Sequence, residues 1–380
     1  MERVGQMLWA PTKLLAKSSK TASHVERLCL FFKGVSWSFG GAWAGVTRAC
    51  AQALKRDNML TFQAYLDASG IPNSARHVTL FKTNKTEKQH MKIAAFHHQG
   101  QPGVGLVSSD LKSVQPFDLS LAERELGALP ILERQAKGES LPALLSAIAL
   151  ADVTLRAPLP RPRRNIFCVG KNYFEHAKEF AGSGFDSSAK SGGAIPEHPI
   201  FFSKVPESVI GTGATVEMPA ASTAIDYEAE LAVIIGLGGK GITAKDALSH
   251  VWGYTIVNDV TARDWQSRHQ QWLLGKSFDT FCPMGPWLVS ADELDGTHTR
   301  MRGYVNGELR QDVSTQDLIF DIPTLIEVLS AGITLYPGDV IATGTPVGVG
   351  IGFKPPKYLV SGDQLRIEID GIGSLDNPVR

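Results

Sequence analysis

Three acids, Asp226, Glu228 and Glu230, fall on every second residue of "IDYEAELAVIIG" and lead straight into an apolar run. In a strand, alternate side chains share one face, so this spacing points the three carboxylates the same way. Burying like charges a pleat apart is costly unless something neutralises them. An acidic solvent face on a half-exposed strand would avoid that cost. Two observations favour burial instead. The run "LAVIIG" continues without alternation, as in a strand covered on both faces. A second apolar strand, "GYTIVND", ends in another acid, Asp259. Acids at the ends of buried strands suit a hard divalent cation, which takes oxygen ligands. No His or Cys stands close in sequence to these acids, so zinc is disfavoured. Mg²⁺ or Mn²⁺ fits best, with Ca²⁺ a third candidate. A carboxylate dyad for acid–base or glycosidase chemistry is the competing reading, but it leaves the remaining acids without a role.

A second pair lies in "GKNYFEHAKEF", where His176 and Glu179 are three residues apart. On a helix they share a face, and the carboxylate can orient the imidazole. By spacing alone the pair is more often a surface contact. The four cysteines, Cys29, Cys50, Cys168 and Cys282, form no CxxC pair, which fits a reducing compartment. Cys168 and Cys282 lie among apolar residues and read as structural thiols rather than nucleophiles.

These residues need a scaffold, and 380 residues at 43% hydrophobic content supply a large core, most simply in two domains. Acidic and basic residues balance at 38 each, so nothing in the charge calls for nucleic acid or a membrane surface. No uncharged apolar run is long enough to span a bilayer. The expected partner is a small molecule.

Residues 1–56 carry nine Lys/Arg against two Glu. Residues 1–90 read as an extension, poorly ordered or targeting-like. The expected location is cytoplasmic, or mitochondrial if residues 1–56 are a transit peptide. From Met91, short apolar stretches between Gly, Pro and Asp turns predict a strand meander. Between Leu119 and Leu155 the pattern turns helical, with "LPALLSAIALADVTL" its clearest piece. "RAPLPRPRRN" reads as a linker closing a small N-terminal β-rich domain over 91–160. Residues 161–380 are strand-rich with irregularly interleaved helices, so the fold class is mixed α/β, mostly β.

With "DYEAELAVIIG", "NDVTARDWQ", "GKSFDTFCPMGPW" and "DVIATGTPVGVG" in this order, the chain resembles the fumarylacetoacetate hydrolase family, nearest its acylpyruvase and fumarylpyruvate-hydrolase-like branch. The resemblance covers residue 164 to the C-terminus, with a weaker match from Met91. It implies a mixed β-roll catalytic domain, a homodimer and a divalent metal held by Glu228, Glu230 and Asp259. Asp226 falls where ligation is not always expected and is read as lying behind the ligands or on the surface. His176 and Glu179 match a His–Glu pair on a segment that closes over substrate, and the Gly/Ser-rich residues that follow suit a mobile lid. Lys276 matches the family's active-site lysine, and its apolar neighbours argue for partial burial. Arg263 and Gln266 match substrate contacts. An Arg can give a carboxylate two parallel hydrogen bonds. Thr345 matches a substrate-binding loop that lacks the GxxxxGK[ST] pattern of a nucleotide site.

The implied reaction is metal-dependent C–C hydrolysis of an acylpyruvate-like 1,3-diketo acid. His176–Glu179 would activate water, and the metal and Lys276 would stabilise a pyruvate enolate. The same centre could serve an isomerase or decarboxylase of hydroxymuconate-type or 2-oxo diacids. A non-catalytic oxo-acid-binding protein is the alternative of another class. It predicts loss of His176, Glu179 or Lys276, all present here.

Overall fold

The computed structural model describes residues 90–181 and 195–380. The expectations for residues 1–89, and for most of the Gly/Ser-rich stretch at 182–194, lie outside the described residues. Within them the fold is a mostly-β mixed α/β architecture.

The meander expected after Met91 forms β1 (Lys92–His98), β2 (Gln101–Val107) and β3 (Ser113–Pro116), each antiparallel to the next. Gln99 and Gly100 link β1 to β2 with φ of 51° and 76°, the two-residue turn that matches strand twist. Two helices follow. In α1 (Leu121–Glu125), Ser120 caps the first turn and Glu123 reaches back to the Ser120 amide. α2 (Leu129–Ala136) buries Leu129, Ile131 and Leu132.

The clearest predicted helix, "LPALLSAIALADVTL", is not helical. It forms β4 (Ile148–Ala149), one 3₁₀ turn and β5 (Thr154–Leu155). Pairing decides the matter: β4 adds to β3, and β5 pairs Phe96 with Leu155 on β1. Over so short a run, apolar periodicity cannot separate helix from strand. The Pro/Arg segment after it is packed, with Ala157 and Leu159 buried and Arg156 N–H donating to Ala95 O at 2.8 Å.

The large sheet continues through β6 (Ile166–Gly170), β7 (Ile200–Lys204), β8 (Val209–Ile210), β10 (Ala229–Ile235), β11 (Val251–Asn258), β13 (Cys282–Ser290) and β16 (Val340–Ala342), after β9 (Ile225–Asp226). Its strand order is β4-β3-β2-β1-β13-β11-β10-β16-β6-β7, so the β1–β13 pair joins the N-terminal strands to the rest in one sheet. β10 is buried from end to end. Leu231, Val233 and Ile235 enter one core cluster, and Ala232 and Ile234 enter the other. That two-sided burial is why "LAVIIG" carries no polar alternation. Each large apolar side chain so buried contributes about 1.5–3 kcal/mol.

Three short helices stand around the sheet: α3 (Phe174–Ala181), α4 (Ala244–Ala247) and α5 (Arg263–Arg268), the last entered from β12 (Thr261–Ala262). α6 (Leu273–Lys276) follows. A second sheet has the order β15-β14-β17-β18, from β14 (Arg300–Val305), β15 (Glu308–Ser314), β17 (Gln364–Ile369) and β18 (Gly373–Pro378). Helix α7 (Ile322–Gly332), capped by Asp321, lays Ile322, Leu325, Ile326 and Leu329 against the core.

Candidate active site

The acids of "IDYEAELAVIIG" do not sit on one uninterrupted strand. β9 stops at Asp226 and pairs with β12, whereas β10 begins at Ala229 and pairs with β11. At the break, Glu228 N–H donates to Asn258 Oδ1 at 3.0 Å and Asp259 N–H to Glu228 O at 2.9 Å. This exchange holds the ends of β10 and β11 together. It gathers Glu228, Glu230 and Asp259, all buried, with ligand oxygens within 4.8 Å of one another.

Asp226 turns elsewhere. Its Oδ2 accepts from Arg263 Nε at 2.9 Å and from Ile351 N–H at 3.0 Å, and its Oδ1 from Gly350 N–H at 2.6 Å. The surface reading of Asp226 is thereby corrected: it is fully buried and anchors Arg263 behind the acid cluster.

Three buried cations answer these acids. Lys276 Nζ donates to Glu228 Oε2 at 2.8 Å and Asp259 Oδ2 at 2.7 Å. Arg263 lies 2.6 Å from Glu228 Oε1, and its NH1 reaches Gln266 Oε1 at 3.1 Å. Lys204, at the end of β7, donates to Asp259 Oδ1 at 2.7 Å, to Val260 O at 3.0 Å and to Lys276 O. Burial alone would raise the Glu228 carboxyl, but Lys276 and Arg263 outweigh it and hold the group well below the usual carboxylate range. Burial, opposed by Asp259 and Glu228, leaves the Lys276 ammonium above its ordinary value.

Glu230 differs. Burial, then the charges of Asp259 and Glu228, push its carboxyl well above the usual range. Among the described contacts it accepts one hydrogen bond, from Gly344 N–H at 3.0 Å, and faces no paired cation. The three buried cations pair with Asp226, Glu228 and Asp259, so Glu230 stands without an ion pair in a cluster of oxygen donors. That donor set fits a hard divalent ion.

The His–Glu pair is present on α3, with His176 Nδ1 3.2 Å from Glu179 Oε2. Glu179 Oε1 accepts from Gly348 N–H at 3.2 Å. A Cβ on Gly352 would stand 1.8 Å from Glu179 Oε1, so only glycine leaves the carboxylate this place. The loop "TGTPVGVG" and the turn after it therefore donate amides to Glu230, Glu179 and Asp226 together. Thr345 Oγ1 accepts from Gln311 Nε2 at 2.8 Å, which leaves its hydroxyl proton to donate.

His176, Glu228, Glu230, Arg263, Gln266, Lys276 and Thr345 line one narrow cavity, walled by Phe180, Phe202 and Trp272. Glu179 and Asp259 stand behind this lining, each in contact with a residue of it. The sequence reading missed Lys204, Gln311 and the cavity-lining Lys171. Lys204 is a strand-end lysine 55 residues from its partner Asp259, and no local pattern marks it. Cys168 and Cys282 are buried free thiols; burial pushes the Cys282 thiol up to about 12 and the Cys168 thiol well above its ordinary value, against any nucleophilic role.

The central strands of the mixed sheet thus end in a buried acid triad, with a His–Glu pair on a neighbouring helix. The chain belongs to the fumarylacetoacetate hydrolase family, whose Fumarylacetoacetate (FAA) hydrolase C-terminal domain matches residues 165–380. It is similar to "Oxaloacetate tautomerase YisK" of Bacillus subtilis (strain 168), 46% identical over 76% of this chain and 100% of that protein. It is also similar to "Oxaloacetate tautomerase fahd2, mitochondrial" of Xenopus laevis, 38% identical over 80% of this chain and 95% of the relative. Among solved structures, a fumarylacetoacetate hydrolase from Exiguobacterium antarcticum matches at 40% identity and a TM-score of 0.64, over 76% of this chain and 99% of that one. Among the described residues no helix is long and apolar enough to cross a membrane.

Proposed function

We propose that this protein is a divalent-metal-dependent tautomerase of a small 2-oxo diacid, with oxaloacetate the reference substrate. This is the isomerase reading of the metal–enolate centre, and it stands ahead of the C–C hydrolysis expected from the sequence. The observation that carries it is one small cavity holding both halves of a proton shift: a base, His176 on Glu179, and a buried ammonium, Lys276. The two relatives named oxaloacetate tautomerase, each matched over nearly its whole length, support the same reading.

Glu228, Glu230 and Asp259 would hold Mg²⁺ or Mn²⁺. The bound ion supplies polarisation of the 2-oxo group, which acidifies the neighbouring carbon. His176, its ring held by Glu179 through Nδ1, takes the C3 proton. The electron pair from the broken C–H bond forms the C2–C3 double bond, and the former carbonyl oxygen takes a proton. Lys276 has two N–H bonds committed to Glu228 and Asp259 and a third left for that oxygen. Arg263, pinned by Asp226 and Glu228, is placed to receive a substrate carboxylate. Thr345 adds a hydroxyl donor. No bond between carbons breaks, so no water is consumed.

The test follows the enol absorbance of freshly dissolved enol-oxaloacetate while pyruvate, oxalate and acetate are assayed. Metal-dependent acceleration of enol decay with no carbon fragment formed is expected. Faster release of acetate and pyruvate from acetylpyruvate than any effect on oxaloacetate would restore the hydrolase reading.

A further inference from the structure

Gln311 is a buried side chain on β15 of the second sheet, yet its partners lie in the candidate site. Its Oε1 accepts at 3.0 Å from Ala229 N–H, the amide between Glu228 and Glu230. Its Nε2 donates to Pro346 O at 2.9 Å and to Thr345 Oγ1 at 2.8 Å. One side-chain amide thereby ties the backbone that carries two acids of the cluster to the loop that carries Thr345. Space is kept for it by Gly303, its neighbour across β14, where a Cβ would stand 3.0 Å from Oε1.

These partners leave the amide one orientation. A backbone N–H can only donate and a backbone carbonyl can only accept, so Ala229 takes the oxygen end and Pro346 the nitrogen end. Turned over, the amide would set donor against donor and acceptor against acceptor, leaving buried groups unpaired. Nε2 is therefore the atom beside Thr345, and Oγ1 can meet it only as an acceptor. The threonine proton is denied that direction. Thr345 is 3% exposed, lines the cavity with His176, Arg263 and Lys276, and among the described residues gives its hydroxyl proton to no acceptor. A buried O–H in that position calls for an acceptor on the ligand.

We infer that Gln311 is a positioning residue that fixes Thr345 as a hydrogen-bond donor into the cavity, so that this wall receives an acceptor oxygen, the carboxylate or oxo group of an oxo acid. The inference rests on the tautomerase reading only for the class of ligand, and binding alone can test it. Gln311 does not itself line the cavity, so it acts through Thr345. Without Nε2, the Thr345 proton is free to turn to the vacated side, where Pro346 O has lost its donor.

The experiment is a double-mutant cycle on the Mg²⁺-saturated full chain, read by calorimetry as affinity for malate, a non-reacting 2-hydroxy diacid. Thr345→Val should weaken malate roughly tenfold, as for loss of a hydrogen bond to a charged group, and Gln311→Met should weaken it nearly as much. In the Thr345→Val background, Gln311→Met should change malate affinity by less than about twofold, while its destabilisation in chemical denaturation persists there. A merely structural role would lower affinity alike in both backgrounds. Should Gln311→Met not fold, Gln311→Glu takes its place. It keeps an acceptor for Ala229 N–H but has at most one proton for the two groups that Nε2 serves, and its effect on malate must likewise shrink in the Thr345→Val background. Losses that multiply across the cycle, or wild-type malate affinity in Gln311→Met, overturn the inference. The predicted coupling in a protein inactive on enol-oxaloacetate would sink the tautomerase reading and leave this one standing.

Discussion

Two groups of ion pairs use the same residue types to opposite ends. On the second sheet, Arg300–Asp312 at 2.6 Å, Arg302–Asp370 at 2.9 Å and Arg366–Asp376 at 2.6 Å form a ladder in solvent. At the ends of β10 and β11, Lys204, Arg263 and Lys276 face Asp226, Glu228 and Asp259 at similar distances with almost no exposure. Distance does not separate the two groups; burial does. A solvated pair is screened and contributes little. A buried pair has given up its hydration, so it is poor value as a stabiliser yet severe to break, because the remaining charge has no water to turn to. A fold does not keep seven charged groups in its core for stability. On the reading proposed above, it keeps them to present Glu228, Glu230 and Asp259 together to a divalent cation.

The comparison breaks first, if it breaks, at Lys204. Lys204→Met keeps the volume and removes the charge, leaving Asp259 with Lys276 alone and two backbone carbonyls without a donor. A loss of about 3–5 kcal/mol is expected in chemical denaturation, together with weakened Mg²⁺ binding. Unchanged stability and metal affinity would mean that the buried network is no more consequential than the surface ladder.

Glu230→Gln sharpens the same contrast by separating stability from function. Glu230 is the buried acid of the cluster whose carboxyl burial, Asp259 and Glu228 push well above the usual range, so a neutral amide of the same shape replaces it at little cost in the metal-free protein. The metal-free protein should keep its stability, while Mg²⁺ affinity falls at least tenfold. In thermal melts with and without Mg²⁺, a metal-induced rise in Tm is expected for wild type and should vanish in the variant. A retained rise would remove Glu230 from the ligand set.

The sequence carried the acid cluster because two local signals coincide there: charge on alternate residues, and an apolar run too continuous for a half-exposed strand. Both are properties of β10 and its neighbours that survive without the partner strands. Lys204, Gln311 and Lys171 carried no such mark, since each matters through a residue far along the chain or through a cavity that exists only after folding. Asp226 shows the limit of periodicity. Its alternation with Glu228 is real in sequence, but the chain breaks between β9 and β10 and sends it to Arg263. The misread helix at 141–155 fails for a related reason: short apolar stretches take the form their partners offer, and here β1 and β3 offered sheet edges.

The smallest effect belongs to the ladder. In Arg300→Ala the Asp312 carboxylate loses both of its bonds, from Nε and NH2, but each group returns to water rather than to a core. Both bonds now hold the Asp312 carboxyl below its ordinary range, so what little they contribute is present above that range and is lost as pH falls through the lowered value. The melting temperature at neutral pH should therefore stay within the error of the measurement, and any difference from wild type should shrink further in high salt. A substantial, salt-insensitive loss would show that the second sheet depends on its ion pairs as the site depends on its own. Burial would then not be what divides the two regions.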